Sequence, residues 1–214
     1  MIINFLGDSI TAGAGASAQD KNYVALVGKK TGATVNNYGI GGTRIARQTE
    51  PSAEPIYDND FLSRVDGMDA SADFVFVFGG TNDYGHGDAP FGNEESTSEY
   101  TFCGAVKALI EGLIRKYGEK KLCFILPLRR YDDENPYGEG NKKKAGEPLI
   151  KYVEAIRRFA AERGVDTLDL RDKFTPPSTR EGNEFFSDIV HPNDKGHALL
   201  AECIADYLTK KGVI

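Results

Sequence analysis

Asp73-Phe74-Val75-Phe76-Val77-Phe78 is an almost unbroken run of aromatic and β-branched residues, and Gly79-Gly80-Thr81-Asn82-Asp83 follows it directly. A run with no polar alternation suits a strand buried on both faces, as in a parallel sheet covered by helices. Working outward, four shorter apolar runs also read as strands: Ile2–Leu6, Thr34–Tyr38, Lys121–Leu126 and Val165–Leu170. Helical spacing of apolar residues predicts helices over Asn22–Thr31, Thr101–Tyr117, Leu149–Arg163 and Asn193–Lys211. A glycine closes each of them, at Gly32, Gly118, Gly164 and Gly212, where a left-handed cap is expected. Alternating strands and helices imply an α/β domain with a mostly parallel sheet and right-handed crossovers.

The chain has 214 residues, enough for one domain over 1–214 and a full apolar core. Its formal charge of −6 repels phosphate backbones and argues against a nucleic-acid or anionic-membrane partner. No apolar run reaches the ~18 residues of a membrane helix, and the first residues, Met1-Ile2-Ile3-Asn4-Phe5-Leu6, lack a basic region of the kind that opens a targeting segment. Cys103, Cys123 and Cys203 are widely spaced in apolar contexts, which reads as three buried small hydrophobes in a reducing, cytoplasmic setting. A cytoplasmic chain and a secreted one with its signal peptide removed look alike on this evidence.

Three stretches lack any period: Gly39–Phe61, Tyr84–Ser98 and Arg129–Gly146. They follow the second, third and fourth strands, on the edge where open α/β sheets bind ligands. On that edge Gly7-Asp8-Ser9-Ile10-Thr11 follows the first strand. By itself this turn reads equally well as a helix cap. Asn37-Tyr38-Gly39-Ile40-Gly41-Gly42 and Gly80-Thr81-Asn82-Asp83 supply glycine N–H groups and an amide donor, and each fits an ordinary turn as well. Near the other end, Asp188-Ile189-Val190-His191-Pro192 spaces a carboxylate three residues from an imidazole, just ahead of a helix. His197 falls within the predicted helix and reads as packing or capping; His86 is a loop residue with no evident partner. With the strands ordered 2-1-3-4-5, the turns bearing Ser9, Gly42 and Asn82 lie side by side, and the segment Arg171–Ser187 can bring His191 back to them.

These four blocks, in this order, resemble the SGNH hydrolase (GDSL esterase/lipase) family over residues 7 to 192. The resemblance implies a flavodoxin-like three-layer α/β/α sandwich with a five-stranded parallel sheet. It implies Ser9 as nucleophile, His191 as general base and acid, and Asp188 as the carboxylate that orients the imidazole. It places Ser9 N–H, Gly42 N–H and the Asn82 amide in an oxyanion hole, and it implies no metal and no organic cofactor. The α/β-hydrolase pattern differs, since it carries its serine in a G-x-S-x-G elbow with Asp and His on separate loops. Two other readings stand beside the esterase: a non-catalytic glycan-binding member of the fold, and a flavodoxin-like nucleotide binder. The second lacks both G-x-x-x-x-G-K-[ST] and G-x-G-x-x-G.

The active-edge loops hold few Leu, Ile or Val. They carry Arg44, Arg47, Tyr84, His86, Phe91, Arg129, Arg130, Tyr131 and Tyr137, with Phe185 and Phe186 on the return segment. This composition points to a small-acyl ester, an acetyl group on a carbohydrate or similar polar alcohol, with Arg44, Tyr84 and Arg129 as substrate contacts. A lysophospholipase or thioesterase of the same family is the alternative. The oligomeric state is not legible.

Overall fold

The computed structural model describes residues 1–140 and 142–214; residue 141, within the expected loop Arg129–Gly146, lies outside the described residues. Five strands, β1 (Ile2–Gly7), β2 (Thr34–Gly39), β3 (Phe74–Phe78), β4 (Leu122–Ile125) and β5 (Asp166–Leu168), alternate with helices. The helices are α1 (Ser9–Ala12), α2 (Tyr23–Thr31), α3 (Phe61–Arg64), α4 (Thr81–Gly85), α5 (Phe102–Tyr117), α6 (Leu149–Glu162) and α7 (Asp194–Lys210). The strands form one sheet in the order β2-β1-β3-β4-β5, and every pairing is parallel.

The continuous apolar run at β3 is explained by its two faces. Phe74, Phe76 and Phe78 point into one core, with Ile3 and Phe5 of β1, Tyr23 and Val24 of α2, and Leu200 and Ile204 of α7. Val75 and Val77 point into the other, with Leu6 and with Leu109 and Leu113 of α5 and Val153 and Ile156 of α6. The two cores flank the sheet and make a three-layer α/β/α sandwich. Asn4 is a polar exception inside β1: its amide donates to Asp69 O at 2.8 Å and lies 3.2 Å from Tyr117 Oη, while its Oδ1 accepts from Asn36 at 2.9 Å. The pairing satisfies a group that would otherwise cost about 1–3 kcal/mol to bury.

Three of the four long helices start where side-chain caps stand; α6 instead follows Pro148. Asn22 accepts from Ala25 N, Thr101 from Gly104 N and Asn193 from Lys195 N and Gly196 N. Three short helices, α1, α3 and α4, escape a reading by periodicity because four or five residues do not complete a repeat. All three lie at or near the carboxyl edge of the sheet. Register aligns that edge: Gly7 pairs with Gly39 on one side and with Phe78 on the other. The turns that begin at residues 8, 40 and 79 therefore leave the sheet at the same height.

Candidate active site

Ser9 is the first residue of α1. Asp8 caps that helix, with its Oδ1 accepting from Ile10 N at 3.0 Å. The capping reading of the Gly7–Thr11 turn falls to Asp8, which leaves the neighbouring Ser9 side chain free of that task. Ser9 Oγ lies 2.9 Å from His191 Nε2, and His191 Nδ1 lies 2.7 Å from Asp188 Oδ2. The other oxygen, Asp188 Oδ1, accepts from Val190 N at 2.8 Å and His191 N at 2.7 Å. Partial burial raises the Asp188 carboxyl, but bonds from the His191 ring and from the His191 and Val190 N–H groups outweigh it and hold the group at about 2. Asp188 is therefore an anion across the neutral range. It fixes the proton of a neutral His191 on Nδ1, which leaves Nε2 as an acceptor facing the serine hydroxyl.

Residues 9 and 191 meet because the C-terminal turn is clamped to the N-terminal segment. Phe186 and Pro192 pair in an antiparallel bridge, and Ser187 N donates to His191 O at 2.9 Å, which closes the turn around His191. Beyond it, Asp194 accepts from Ser17 N at 2.7 Å and from Lys21 Nζ at 2.8 Å. His197 is fully buried. Its Nδ1 accepts from Tyr23 N at 3.2 Å and its Nε2 lies 3.1 Å from Ala14 O. The expected packing role of His197 is thus a tie between α7 and the segment that follows Ser9.

Gly42 takes the left-handed conformation, φ +74°, and the Tyr57 ring covers it so closely that a Cβ there would sit 2.6 Å from Cδ1. Only glycine fits both constraints. Neither the Ser9 nor the Gly42 N–H is consumed by a backbone bond within the described turns. Asn82 is almost buried on α4, and its Nδ2 donates to Thr43 O at 3.0 Å, which pins the amide beside the Gly42 turn and leaves one N–H over. Gly80, at φ +103°, makes the corner that aims α4 this way.

Charges beneath the site escape a reading by motif. Burial pushes the Asp8 carboxyl up to about 6, against the pull of the Ile10 N–H, His191 and Arg64, with Asp83 pushing it further up. Arg64 on α3 donates to Gly7 O at 3.1 Å, Tyr38 O at 2.5 Å and Thr43 Oγ1 at 3.0 Å, so one guanidinium joins the ends of β1 and β2 to the Gly42 turn. Burial lowers it to about 10, although Asp8 and Asp60 favour its charge. Asp83 is buried next to Asn82 and accepts from Ile45 N and Ala46 N, both at 2.9 Å. Burial raises its carboxyl, while those two amides and Arg44 oppose the rise. The signal available for Asp83 and Arg64 in sequence was only a charge beside a motif or an apolar residue.

The three expected substrate contacts fall in different places. Tyr84 corrects that reading: its ring is 1% exposed, packs edge-on against Tyr152 and sends its hydroxyl to Asp132 O at 2.7 Å. It offers no face to a substrate. Arg44 is 4% exposed and holds Ser52 Oγ at 2.7 Å, Asp58 Oδ1 at 3.2 Å and Gly42 O at 3.1 Å. Arg129 is half-exposed and paired with Asp133 at 3.2 Å. Arg130 and Phe186 are interior as well; Arg130 is clamped by Glu139 and by Thr81. Loops this long build small cores of their own, and their aromatic and guanidinium groups supply them. Among the described residues no three His, Cys, Asp or Glu side chains converge as a metal-ligand set, and no helix is long and apolar enough to cross a membrane. Cys103 and Cys123 are buried and Cys203 is half-buried, all as free thiols.

A family model for the GDSL-like Lipase/Acylhydrolase family matches residues 5–199, and the chain belongs to that family of hydrolases. Among solved structures, a protein from Lactobacillus plantarum superposes with a TM-score of 0.79 at 28% identity, covering 97% of this chain and 96% of that one. A carbohydrate acetylesterase from Sinorhizobium meliloti superposes with a TM-score of 0.70 at 14% identity, covering 98% of each chain, and shares the fold. Among curated proteins nothing matches the chain significantly.

Proposed function

We propose that this protein is a serine esterase that cleaves small-acyl esters through an acyl-enzyme. The observation that carries the reading is the Ser9–His191–Asp188 relay, with contacts of 2.9 and 2.7 Å, on the edge where three turns converge. Ser9 Oγ attacks the ester carbonyl carbon while its proton passes to His191 Nε2. The C–O bond to the alcohol breaks as the tetrahedral intermediate collapses, and His191 returns the proton to the departing alkoxide. Water then repeats the sequence on the acyl-enzyme, with His191 again as base, and releases the acid. Asp188 keeps the imidazole oriented and offsets the charge of the imidazolium. Ser9 N–H, Gly42 N–H and the Asn82 amide stabilise the oxyanion; donors of this kind are each worth roughly 10²–10³ in rate.

The substrate reading is an acetyl ester of a carbohydrate or a similar polar alcohol. A long acyl chain needs a groove of aliphatic side chains, which return about 0.8 kcal/mol per buried CH₂. The loops 39–61, 84–98 and 129–146 carry mainly polar, charged and aromatic residues instead. The test is kcat/KM along p-nitrophenyl esters from acetate to decanoate, with acetate release from acetylated sugars beside it. Activity is expected to peak at acetate or propionate and to be absent in Ser9→Ala. A steady rise toward the longer chains favours the lysophospholipase or thioesterase reading, and full turnover by folded Ser9→Ala removes the serine mechanism.

A further inference from the structure

A chamber of about 1050 Å³ opens between the segments 48–53, 86–92 and 142–147, and the triad does not line it. Two of its walls lead to the candidate site. Tyr57 lies both on the chamber and against Gly42, and Arg44 lines the chamber while donating to Gly42 O at 3.1 Å. Tyr57 is 39% exposed, and the partly exposed Phe91 adds further aromatic surface to the chamber. Flat apolar faces beside polar donors suit a sugar ring.

The donors in this chamber are not used up by the protein. Arg44 is the exception: it is 4% exposed, holds Asp58 and Ser52, and its Nε, unpaired among the described residues, is buried out of reach of a ligand. Lys142 Nζ makes its contacts with neutral groups, the Tyr152 hydroxyl at 3.2 Å and the Tyr152 ring at 5.4 Å, and no described carboxylate is within ion-pair distance of it. His86 also lines the chamber, and no described residue hydrogen-bonds to its ring. Burial, Arg44, Arg130 and Lys142 push the imidazole down to about 4 against the pull of Glu139, so it stands neutral with one N–H to give. The acidic wall residues are mostly engaged elsewhere. Asp88 accepts from Thr49 N, Thr49 Oγ1 and Glu50 N, and Glu50 pairs with Lys143 at 2.5 Å. Glu147 is exposed.

We propose that this chamber binds the alcohol portion of the substrate, and that this portion is a carboxylate-bearing sugar held by Lys142 and His86, with the Arg44 guanidinium buried behind the wall. The inference rests on the esterase reading for the word substrate, but the binding site stands on the chamber alone. A carboxylate has lone pairs for both donors, and a charge-assisted bond to Lys142 in a partly enclosed site favours it over a neutral hydroxymethyl group. One such bond corresponds to about tenfold or more in affinity.

Calorimetric titration of the intact protein with galacturonate and with galactose tests this, because the two differ at the carboxylate. Galacturonate is expected to bind at least about tenfold more tightly, and Lys142→Met, a change on a loop that breaks no ion pair, is expected to bring the two within about twofold. Lys142→Glu is expected to weaken galacturonate further. Equal affinities in the unaltered protein, no binding of either sugar, or a preference that survives Lys142→Met and Lys142→Glu overturns the proposal. Turnover of p-nitrophenyl acetate is read separately. Its absence removes the esterase reading and leaves the titration to decide the chamber.

Discussion

Asn82 shows how a single side chain is held in place for the role proposed for it. One of its two N–H bonds is spent on Thr43 O, which fixes the amide plane beside the Gly42 turn, and the other remains for a ligand. A donor held in advance acts mainly on charge that develops during reaction. Asn82→Ala is expected to lower kcat on p-nitrophenyl acetate by about 10²-fold with a much smaller change in KM. Steady-state kinetics on the folded variant check this, and a large KM change with kcat intact recasts Asn82 as a ground-state contact. Ser9, His191, Asp188 and Asn82 were legible in the sequence because each sits in a short block with a neighbour of matching chemistry. Tyr84 was misread because a tyrosine in a polar loop looks solvent-facing until the loop is seen to fold over its own ring. Arg64 was not legible at all, since its acceptors are backbone carbonyls and carbonyls leave no mark in a sequence.

At the scale of elements, Arg64 explains why three separate turns keep one geometry. Helix α3 is a single turn, capped by Asp60 through Ser63 N at 2.9 Å, and its arginine reaches Gly7 O, Tyr38 O and Thr43 Oγ1. Arg64→Met leaves those acceptors without their donor, at a cost of about 2–4 kcal/mol. Chemical denaturation is expected to show that loss, and the surviving folded enzyme is expected to have lower kcat because the Gly42 turn is no longer tied to β1. Arg64→Lys restores charge but not the fork and is expected to recover only part of either. Unchanged stability in Arg64→Met contradicts this account of the edge. The long elements were legible, with bounds off by a residue or so: the Gly32, Gly118 and Gly164 stops stand at or just past helix ends, and Asn22, Thr101 and Asn193, expected as first helical residues, are the caps just ahead of their helices. The short ones were not, because α1, α3 and α4 are specified by turn chemistry and tertiary bonds rather than by a repeating apolar face.

For the whole molecule, the carboxyl edge carries buried charge that makes stability depend on pH. Asp8 ionises at 3.8 in the unfolded chain and at about 6 in the fold, with burial the chief cause. Below 3.8 both states hold the proton and the favourable contribution is complete. As pH rises the unfolded chain loses its proton first, so this contribution declines and is gone above about 6; the loss amounts to about 3 kcal/mol. Asp188 works in the opposite sense, since its carboxyl is held at about 2, and its contribution is lost as pH falls from 3.8 toward that value. Asp8→Asn keeps an oxygen for Ile10 N and removes the titration. Its effect on unfolding free energy is expected to be more favourable at pH 8 than at pH 4 by about 3 kcal/mol, and equal effects at the two pH values contradict the assignment. The sheet order places residues 9 and 191, 182 positions apart, on one edge, and the Asp194 and His197 ties draw the two ends of the chain together there. That this convergence makes Ser9 a nucleophile is the central claim. Intact-protein mass spectrometry after treatment with a fluorophosphonate, followed by peptide mapping, tests it most directly. The account predicts one adduct, on Ser9, absent in folded Ser9→Ala and sharply slowed in His191→Ala; an unlabelled native protein, or an adduct on another residue that persists in Ser9→Ala, would contradict it.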